Sequence, residues 1–202
     1  PSIVEMKRYI ADAVDLDSFV VYQNGTLITE FQDKDESAIM DTDTSGYSQS
    51  KIFDTLDAGQ DNSVFYMKSV VNAYENFMKF LSDDEITIDY TYLWDIICMP
   101  NERLFPKGLN LVILQQTNYD ITDNIEIICP SNHYANSFYE VGKSTLIILK
   151  TENYYEPIYA YKDEESRLLI LKTFNEFSNQ LLPNIRNVLG VIKRIYKQNC
   201  RP

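Results

Sequence analysis

Residues 63–81 constrain the fold more than any other part of this sequence. Their apolar side chains recur every three or four positions, the spacing of one face of an α-helix: Phe65, Val70, Tyr74, Phe77, Met78 and Leu81. Residues 61–63 (Asp-Asn-Ser) offer N-terminal caps, and residues 82–84 (Ser-Asp-Asp) end the pattern. The sequence therefore predicts a long amphipathic helix here, and we expect it to pack against a sheet formed by the strands that follow.

Short apolar runs bounded by Gly, Pro, Asn or Asp predict those strands at residues 109–114, 125–129, 145–149 and 154–161. Residues 168–171 offer a further strand, so we expect a mixed or antiparallel sheet of about four to six strands. Only residues 150–153 separate two of the runs, which predicts an antiparallel hairpin of 145–149 with 154–161. A short helix at 92–98, stopped by Pro100, and a C-terminal helix at 174–197 complete a fold of the α+β class.

The N-terminal part predicts a helix over residues 2–14 and then a β-hairpin over residues 19–31. The hairpin rests on two β-rich runs that flank Asn24-Gly25, a pair that tolerates positive φ in a tight turn. Residues 32–60 are rich in aspartate and predict an acidic mobile loop with one short helix near residues 52–56. The expected segments are therefore 1–31, 32–60 and a core of 61–202.

Composition narrows the functional classes. The chain has 202 residues, 45% of them hydrophobic, and a formal net charge of −12. That charge makes a general affinity for nucleic acid or for an anionic membrane unfavourable. No run of about 18 uncharged apolar residues is present, and three cysteines at wide spacing favour a reducing, intracellular compartment. Because the sequence lacks an initiator Met and a signal-peptide pattern, we expect it to be a segment of a longer intracellular protein.

Few residues could carry chemistry. His133 is the only histidine, so a cysteine nucleophile activated by a histidine would pair it with Cys98 or Cys129. The alternative is that both cysteines are small buried hydrophobic residues and that His133 caps a turn. No Cys-x-x-Cys or His-x-x-x-His spacing predicts zinc, and no glycine-rich loop predicts a nucleotide, so neither metal nor cofactor is expected.

Residues 145–161 (TLIILKTENYYEPIYAY) resemble the terminal strand–turn–strand of ovarian-tumour (OTU) cysteine proteases, and the order of elements over residues 63–162 is similar to that family. Tyr155 matches the family's tyrosine, but Tyr154 stands where the catalytic histidine would be, and the Asp-Gly-x-Cys nucleophile motif is missing. A tyrosine phenol ordinarily titrates near pH ~10, too high for the base that a thiol needs at neutral pH. The resemblance thus implies a relative without catalytic activity. Its protein partner, either a ubiquitin-like protein or another domain of the parent chain, would bind at five residues: Asn132, His133, Tyr134, Tyr154 and Tyr155.

Residues 90–202 are also similar to a region of large uncharacterised proteins of giant DNA viruses, through the phrases YLWDIIC (92–98), YYEPIY (154–159) and LPNI (182–185). This similarity implies a multidomain viral parent located in the host cytoplasm or the virion. The sequence therefore favours a non-catalytic interaction or structural module of a larger viral protein. Two alternatives stay open: an active cysteine hydrolase that uses His133, and a nucleic-acid-associated domain that uses a C-terminal basic patch of Arg186, Lys193, Arg194, Lys197 and Arg201.

Overall fold

The computed structural model describes residues 2–54, 61–116, 125–128, 140, 142–152, 154–164, 167–174 and 187. Helices and sheets coexist, which confirms the α+β class. The chain divides into two compact units, residues 1–96 and 97–202. This boundary differs from the predicted segments because the N-terminal segments pack along the same long helix and share its core.

The first unit is helical. Its helices are α1 (Ile3–Ala13), α2 (Leu16–Phe19), α3 (Thr26–Phe31), α4 (Glu36–Met40), α5 (Asp61–Ser82) and the start of α6 (Tyr90–Cys98). The long helix predicted at 63–81 is confirmed as α5, and the short helix predicted at 92–98 is confirmed as α6. Helices α1, α2, α3 and α4 all contact α5, which is therefore the centre of this unit.

Aromatic rings fill the core around α5. Phe77 is fully buried and lies 5.3 Å from Phe19 and 4.9 Å from Phe31, measured between ring centroids. Phe80 continues the cluster towards Tyr92 at 5.0 Å. The tilted and edge-to-face geometry is the one that aromatic quadrupoles favour. The cluster thus joins α2, α3, α5 and α6 into one packed unit.

Helix α1 confirms the predicted N-terminal helix. Ser2 and Glu5 form a capping box at its start. The buried residues within the helix are Lys7, Ala11 and Ala13, whereas Ile3 and Met6 are exposed. Lys7 is buried because its ammonium group donates hydrogen bonds to the carbonyl oxygens of Asp83 and Ile86, so α1 also holds the segment after α5.

The β-hairpin predicted at residues 19–31 is wrong. Asp15 caps α2 by accepting a hydrogen bond from the Ser18 N–H at 2.8 Å, and the buried side chains that follow lie about one helical turn apart: Leu16, Phe19 and Tyr22. This helical period places the β-prone residues in helices that cover α5. The predicted turn is nevertheless present, since Asn24 and Gly25 have φ of 56° and 83°. This turn connects helices instead of strands. Gln23, the residue before Asn24, is also left-handed, with a φ of 49°.

Residues 32–54 contain more helix than the acidic mobile loop predicted for residues 32–60, in which one short helix was expected near residues 52–56. This stretch contains α4 and two 3₁₀ helices, Ser45–Tyr47 and Lys51–Phe53, and it buries Ile39. The acids explain the difference: Asp35 and Asp43 accept hydrogen bonds from the Ser37 and Ser45 N–H groups at 2.9 Å. Asp35 therefore caps α4, and Asp43 stabilises the turn that leads into the 3₁₀ helix Ser45–Tyr47. The remaining residues, 55–60, lie outside the described part of the chain.

The second unit contains a four-stranded mixed sheet and a separate two-stranded sheet. The first has the order β2-β1-β3-β4, formed by β1 (Asn110–Gln116), β2 (Ile125–Ile128), β3 (Thr145–Lys150) and β4 (Tyr155–Pro157). Strands β1 and β3 are parallel, and the other pairs are antiparallel. Buried Asn110 fixes the entry to β3, because its amide donates to the Glu140 carbonyl at 2.9 Å and to the Thr145 hydroxyl at 3.3 Å.

The single strand predicted at 154–161 is two strands. The hairpin of β3 with β4 is confirmed, with Lys150 opposite Tyr155 and Ile148 opposite Pro157. The chain then leaves this sheet, and β5 (Ala160–Glu164) pairs with β6 (Arg167–Leu171). Strand β6 confirms the further strand predicted at 168–171. The expected number of strands is thus met by two sheets instead of one.

The C-terminal helix predicted at 174–197 lies almost wholly outside the described residues. Phe174 is described, and it forms a backbone bridge with Thr145 whose two hydrogen bonds measure 2.7 and 2.9 Å. In the described part of the chain, no helix is long and apolar enough to cross a membrane.

Candidate functional site

Residues 154–161 expose four tyrosines within one short stretch, and we call this stretch the tyrosine segment. The exposed fractions are 55% for Tyr154, 47% for Tyr155, 48% for Tyr159 and 63% for Tyr161. Large aromatic side chains are usually well buried in folded proteins. Their concentration at the surface makes this segment the strongest candidate site among the described residues of the second unit.

The β3–β4 turn holds the first two tyrosines. The Thr151 hydroxyl donates to the Tyr154 carbonyl at 3.0 Å and accepts from the Tyr154 N–H at 3.3 Å, while the Thr151 N–H donates to the same carbonyl at 2.9 Å. The ammonium group of Lys150 lies 5.6 Å from the centroid of the Tyr155 ring, within cation–π distance. The backbone beneath both rings is therefore fixed although the rings face solvent.

Of the other two tyrosines, Tyr159 directly precedes β5 and Tyr161 is its second residue. Ala160 is buried between Tyr159 and Tyr161, as expected where alternate residues of a strand face opposite sides. Ile170 stands directly opposite Tyr161 in the β5–β6 pair and is 53% exposed. An exposed tyrosine and an exposed isoleucine are thus cross-strand neighbours on the open face of a two-stranded sheet.

The edge of β4 limits what can bind through its backbone. The Ile158 N–H donates to the Ile147 carbonyl at 3.0 Å. In an antiparallel pair, successive residues point their backbone groups alternately towards and away from the neighbouring strand. Tyr155 and Pro157 therefore direct their backbone groups away from β3. Proline has no N–H to offer a further strand. A further strand at this edge would therefore lack a backbone donor at Pro157.

The structure places the predicted site residues unequally. Tyr154 and Tyr155 are adjacent and exposed, as a binding role requires. Cys98 ends α6 and is 5% exposed, which argues against it as a nucleophile because reactive thiols need access to solvent. Nine predicted site residues lie outside the described part, so their roles stay predictions: Cys129, Asn132, His133, Tyr134, Arg186, Lys193, Arg194, Lys197 and Arg201.

Sequence reasoning missed Tyr159, Tyr161 and Ile170 as site residues. The alternation of Tyr159 and Tyr161 around Ala160 is a signal of one exposed strand face, but it requires knowing that a second sheet begins here. Within the described ranges, no group of three or more His, Cys, Asp or Glu side chains could hold a metal ion.

Charge is divided very unevenly between the two units. Residues 1–96 contain 19 Asp and Glu against 6 Lys and Arg, a formal net charge of −13. Residues 97–202 contain 11 Asp and Glu against 12 Lys and Arg, a net charge of +1. The tyrosine segment therefore belongs to a nearly neutral unit, and the acidity of the chain belongs to the helical one.

Comparisons with known proteins give one informative similarity. No protein-family model matches the chain, and no solved structure matches it. The chain is 26% identical over 147 residues to an uncharacterised protein of Acanthamoeba polyphaga mimivirus, in an alignment that covers 67% of this chain and 9% of that protein. The chain thus spans less than a tenth of the length of this relative. The similarity supports an origin in a giant virus.

Proposed function

We propose that the chain is a non-catalytic interaction module of a larger viral protein and that the tyrosine segment binds a protein partner. The observation that carries the proposal is the exposure of Tyr154, Tyr155, Tyr159 and Tyr161, each close to half exposed or more. Tyrosine combines a large apolar ring with a hydroxyl group that forms hydrogen bonds, and it is enriched in protein interfaces for that reason.

Charge favours a protein over a nucleic acid as the ligand of this segment. Single-stranded nucleic acid also stacks on aromatic rings, but its binding proteins combine the rings with a strongly positive groove. The second unit has a net charge of only +1. The interface would then depend on apolar contact and tyrosine hydroxyls, which protein surfaces match well.

The OTU resemblance suggests which protein class to test first. In that resemblance Tyr154 stands where the family's histidine would be, directly before the second strand of the β3–β4 hairpin. A domain that lost catalysis while keeping this hairpin can still bind a ubiquitin-like protein. We therefore propose ubiquitin as the first probe of the tyrosine segment.

The experiment is a titration of isotope-labelled ubiquitin with the unlabelled chain, followed by NMR chemical shifts. We expect shifts with the wild-type chain that disappear for Tyr154→Ala and for Tyr155→Ala, because each variant removes an exposed ring without opening a core. Tyr66→Ala is the matched control, since Tyr66 is also a tyrosine, is 41% exposed and lies on α5 in the other unit.

The possible outcomes separate the versions of the proposal. An absence of shifts with the wild-type chain excludes ubiquitin as the partner. The broader proposal then requires a protein that is captured from infected-cell extract by the wild-type chain and by Tyr66→Ala but not by Tyr154→Ala or Tyr161→Ala. If capture is the same for all four chains, the tyrosine segment is not the interaction surface.

A further inference from the structure

A second exposed apolar surface lies on α1, in the first unit. Ile3, Met6 and Tyr9 follow each other at intervals of three and are 77%, 51% and 58% exposed. Residues three apart are neighbours on a helix surface, so these side chains form one stripe. The buried residues of α1 are Lys7, Ala11 and Ala13, and the helix contacts α5. We call the three exposed residues the α1 stripe.

Acidic side chains border the α1 stripe. Glu5 and Asp12 stand four residues before and three residues after Tyr9, which makes them its neighbours on the helix surface. Arg8 lies between them and offsets part of their charge. The hydrogen bonds from Lys7 to the carbonyls of Asp83 and Ile86 place a second group of exposed acids beside the Lys7 face of α1. These are Asp83, Asp84 and Glu85. The stripe is thus an apolar strip in the unit whose net charge is −13.

From this arrangement we infer that the α1 stripe is a docking site for a basic amphipathic helix of a partner protein. Such a helix presents apolar residues along one face and Lys or Arg beside them, which complements an apolar stripe bordered by carboxylates. The charge of the unit opposes the other occupants. Nucleic acids and anionic membranes are repelled by this charge. Binding of a second copy of the chain here would bring together two units that each have a net charge of −13. This site and its partner chemistry are independent of the tyrosine segment.

The test uses the full chain and a designed probe. The probe is a fluorescein-labelled Leu/Lys peptide of about 18 residues, five helical turns, with all leucines on one face. Binding is measured by fluorescence anisotropy. We expect Met6→Ser to weaken binding about tenfold, because an apolar contact of this size is worth roughly that factor when it is lost from an interface. Added salt should weaken binding by the wild-type chain as well, since it screens the carboxylates.

Met40→Ser is the matched control, because Met40 is also a methionine of the first unit, is 45% exposed and lies on α4. Its affinity should equal that of the wild type. Tyr9→Ser provides a second variant on the stripe, and circular dichroism verifies that all variants are folded. Equal losses for Met6→Ser and Met40→Ser would overturn the inference. Equal binding of a scrambled peptide of the same composition would also overturn it. Either result would mean that the peptide binds the acidic unit through non-specific electrostatic attraction and not at the α1 stripe.

Discussion

The backbone N–H of Gln23 donates a hydrogen bond of 2.7 Å to the side-chain carboxylate of Asp95. Both residues are buried, and the Gln23 side chain adds a bond of 3.0 Å to the Thr91 carbonyl. Gln23 has a positive φ of 49°, a conformation that costs free energy for any residue other than glycine. Helix α6 therefore holds the left-handed turn between α2 and α3 through two hydrogen bonds to one residue.

We predict opposite effects for two substitutions of Asp95. Asp95→Ala removes the acceptor and leaves a buried N–H without a partner, which should destabilise the first unit by about 1–3 kcal/mol. Asp95→Asn keeps an oxygen acceptor and removes the buried charge, so its stability at neutral pH should equal or exceed that of the wild type. Chemical denaturation of both variants measures the difference. If both variants lose the same free energy of unfolding, the hydrogen bond to the Gln23 N–H is not the source of the stabilisation by Asp95.

The pH dependence of the Asp95→Asn difference has a defined sign. Burial raises the pKa of Asp95 above 3.8, an effect that the Gln23 N–H partly offsets. The folded state then binds this proton more tightly than the unfolded state, so the contribution of Asp95 to stability is greatest below pH 3.8 and declines as pH rises through the folded pKa. The advantage of Asp95→Asn over the wild type should therefore grow across that range and then level off. A constant difference would contradict it.

Alkaline pH should weaken the first unit through three tyrosines. Burial raises the pKa of Tyr22 and, with help from Glu75, raises the pKa of Tyr47 to about 12. The hydrogen bond to Glu30 and burial raise the pKa of Tyr92 to about 12. Because these phenols ionise more readily in the unfolded chain, stability should fall as pH rises from 10 towards 12. Thermal melts followed by circular dichroism across this range measure the loss.

A pair of variants isolates one of these tyrosines. Tyr92→Phe removes the phenol that is bonded to Glu30, and it should reduce the slope of stability against pH in the alkaline range. Val21→Ala, at an exposed position of the same unit, removes no phenol and should leave the slope as it is in the wild type. An unchanged slope for Tyr92→Phe would remove Tyr92 from this explanation.

Gly108 is a position where a single methyl group should be severely destabilising. Its φ is 68°, and a Cβ atom there would lie 2.1 Å from the carbonyl oxygen of Cys98. We expect Gly108→Ala to cost at least about 2 kcal/mol, because both the backbone conformation and the contact must change. Gly46→Ala is the control, since no atom lies within 4 Å of the added Cβ. Denaturation curves for the two variants give the comparison.

The thiol of Cys98 should be protected in the native protein. With Cys129→Ser and Cys200→Ser combined, Cys98 is the only thiol, and its burial predicts alkylation at least about tenfold slower than in denaturant. Mass spectrometry after timed treatment with iodoacetamide measures the rates. Rapid native labelling that is lost on His133→Ala would contradict this expectation and support the cysteine-hydrolase alternative.

Sequence patterns predicted the long elements well because periodicity was repeated many times within them. Helix α5 has six apolar residues in one pattern, and its bounds are close to those expected. The segment around Asn24-Gly25 shows where such reasoning fails. The turn residues adopted the expected positive φ, but the flanking runs were too short for propensity to decide, and packing of Phe19 and Leu27 in the core imposed helices.

The candidate site was predictable only in part for a similar reason. Tyr154 and Tyr155 could be singled out from the hairpin pattern, which depends on neighbouring residues. The exposure of Tyr159, Tyr161 and Ile170 depends on the change of sheet after Pro157, and the sequence does not mark that point. The exposure of Ile3, Met6 and Tyr9 could not be predicted either, since an isolated amphipathic pattern cannot show which apolar residues meet the core.

The position of Pro157 also has a consequence for self-assembly. Strand β4 is three residues long and lies at the edge of its sheet, where an open row of backbone groups can recruit another chain and start a fibril. Proline interrupts that row on the outward side of the strand. Pro157→Val would restore a donor in a tyrosine-rich stretch of high β-propensity, and it is the substitution in this unit that we expect to promote fibril formation most directly.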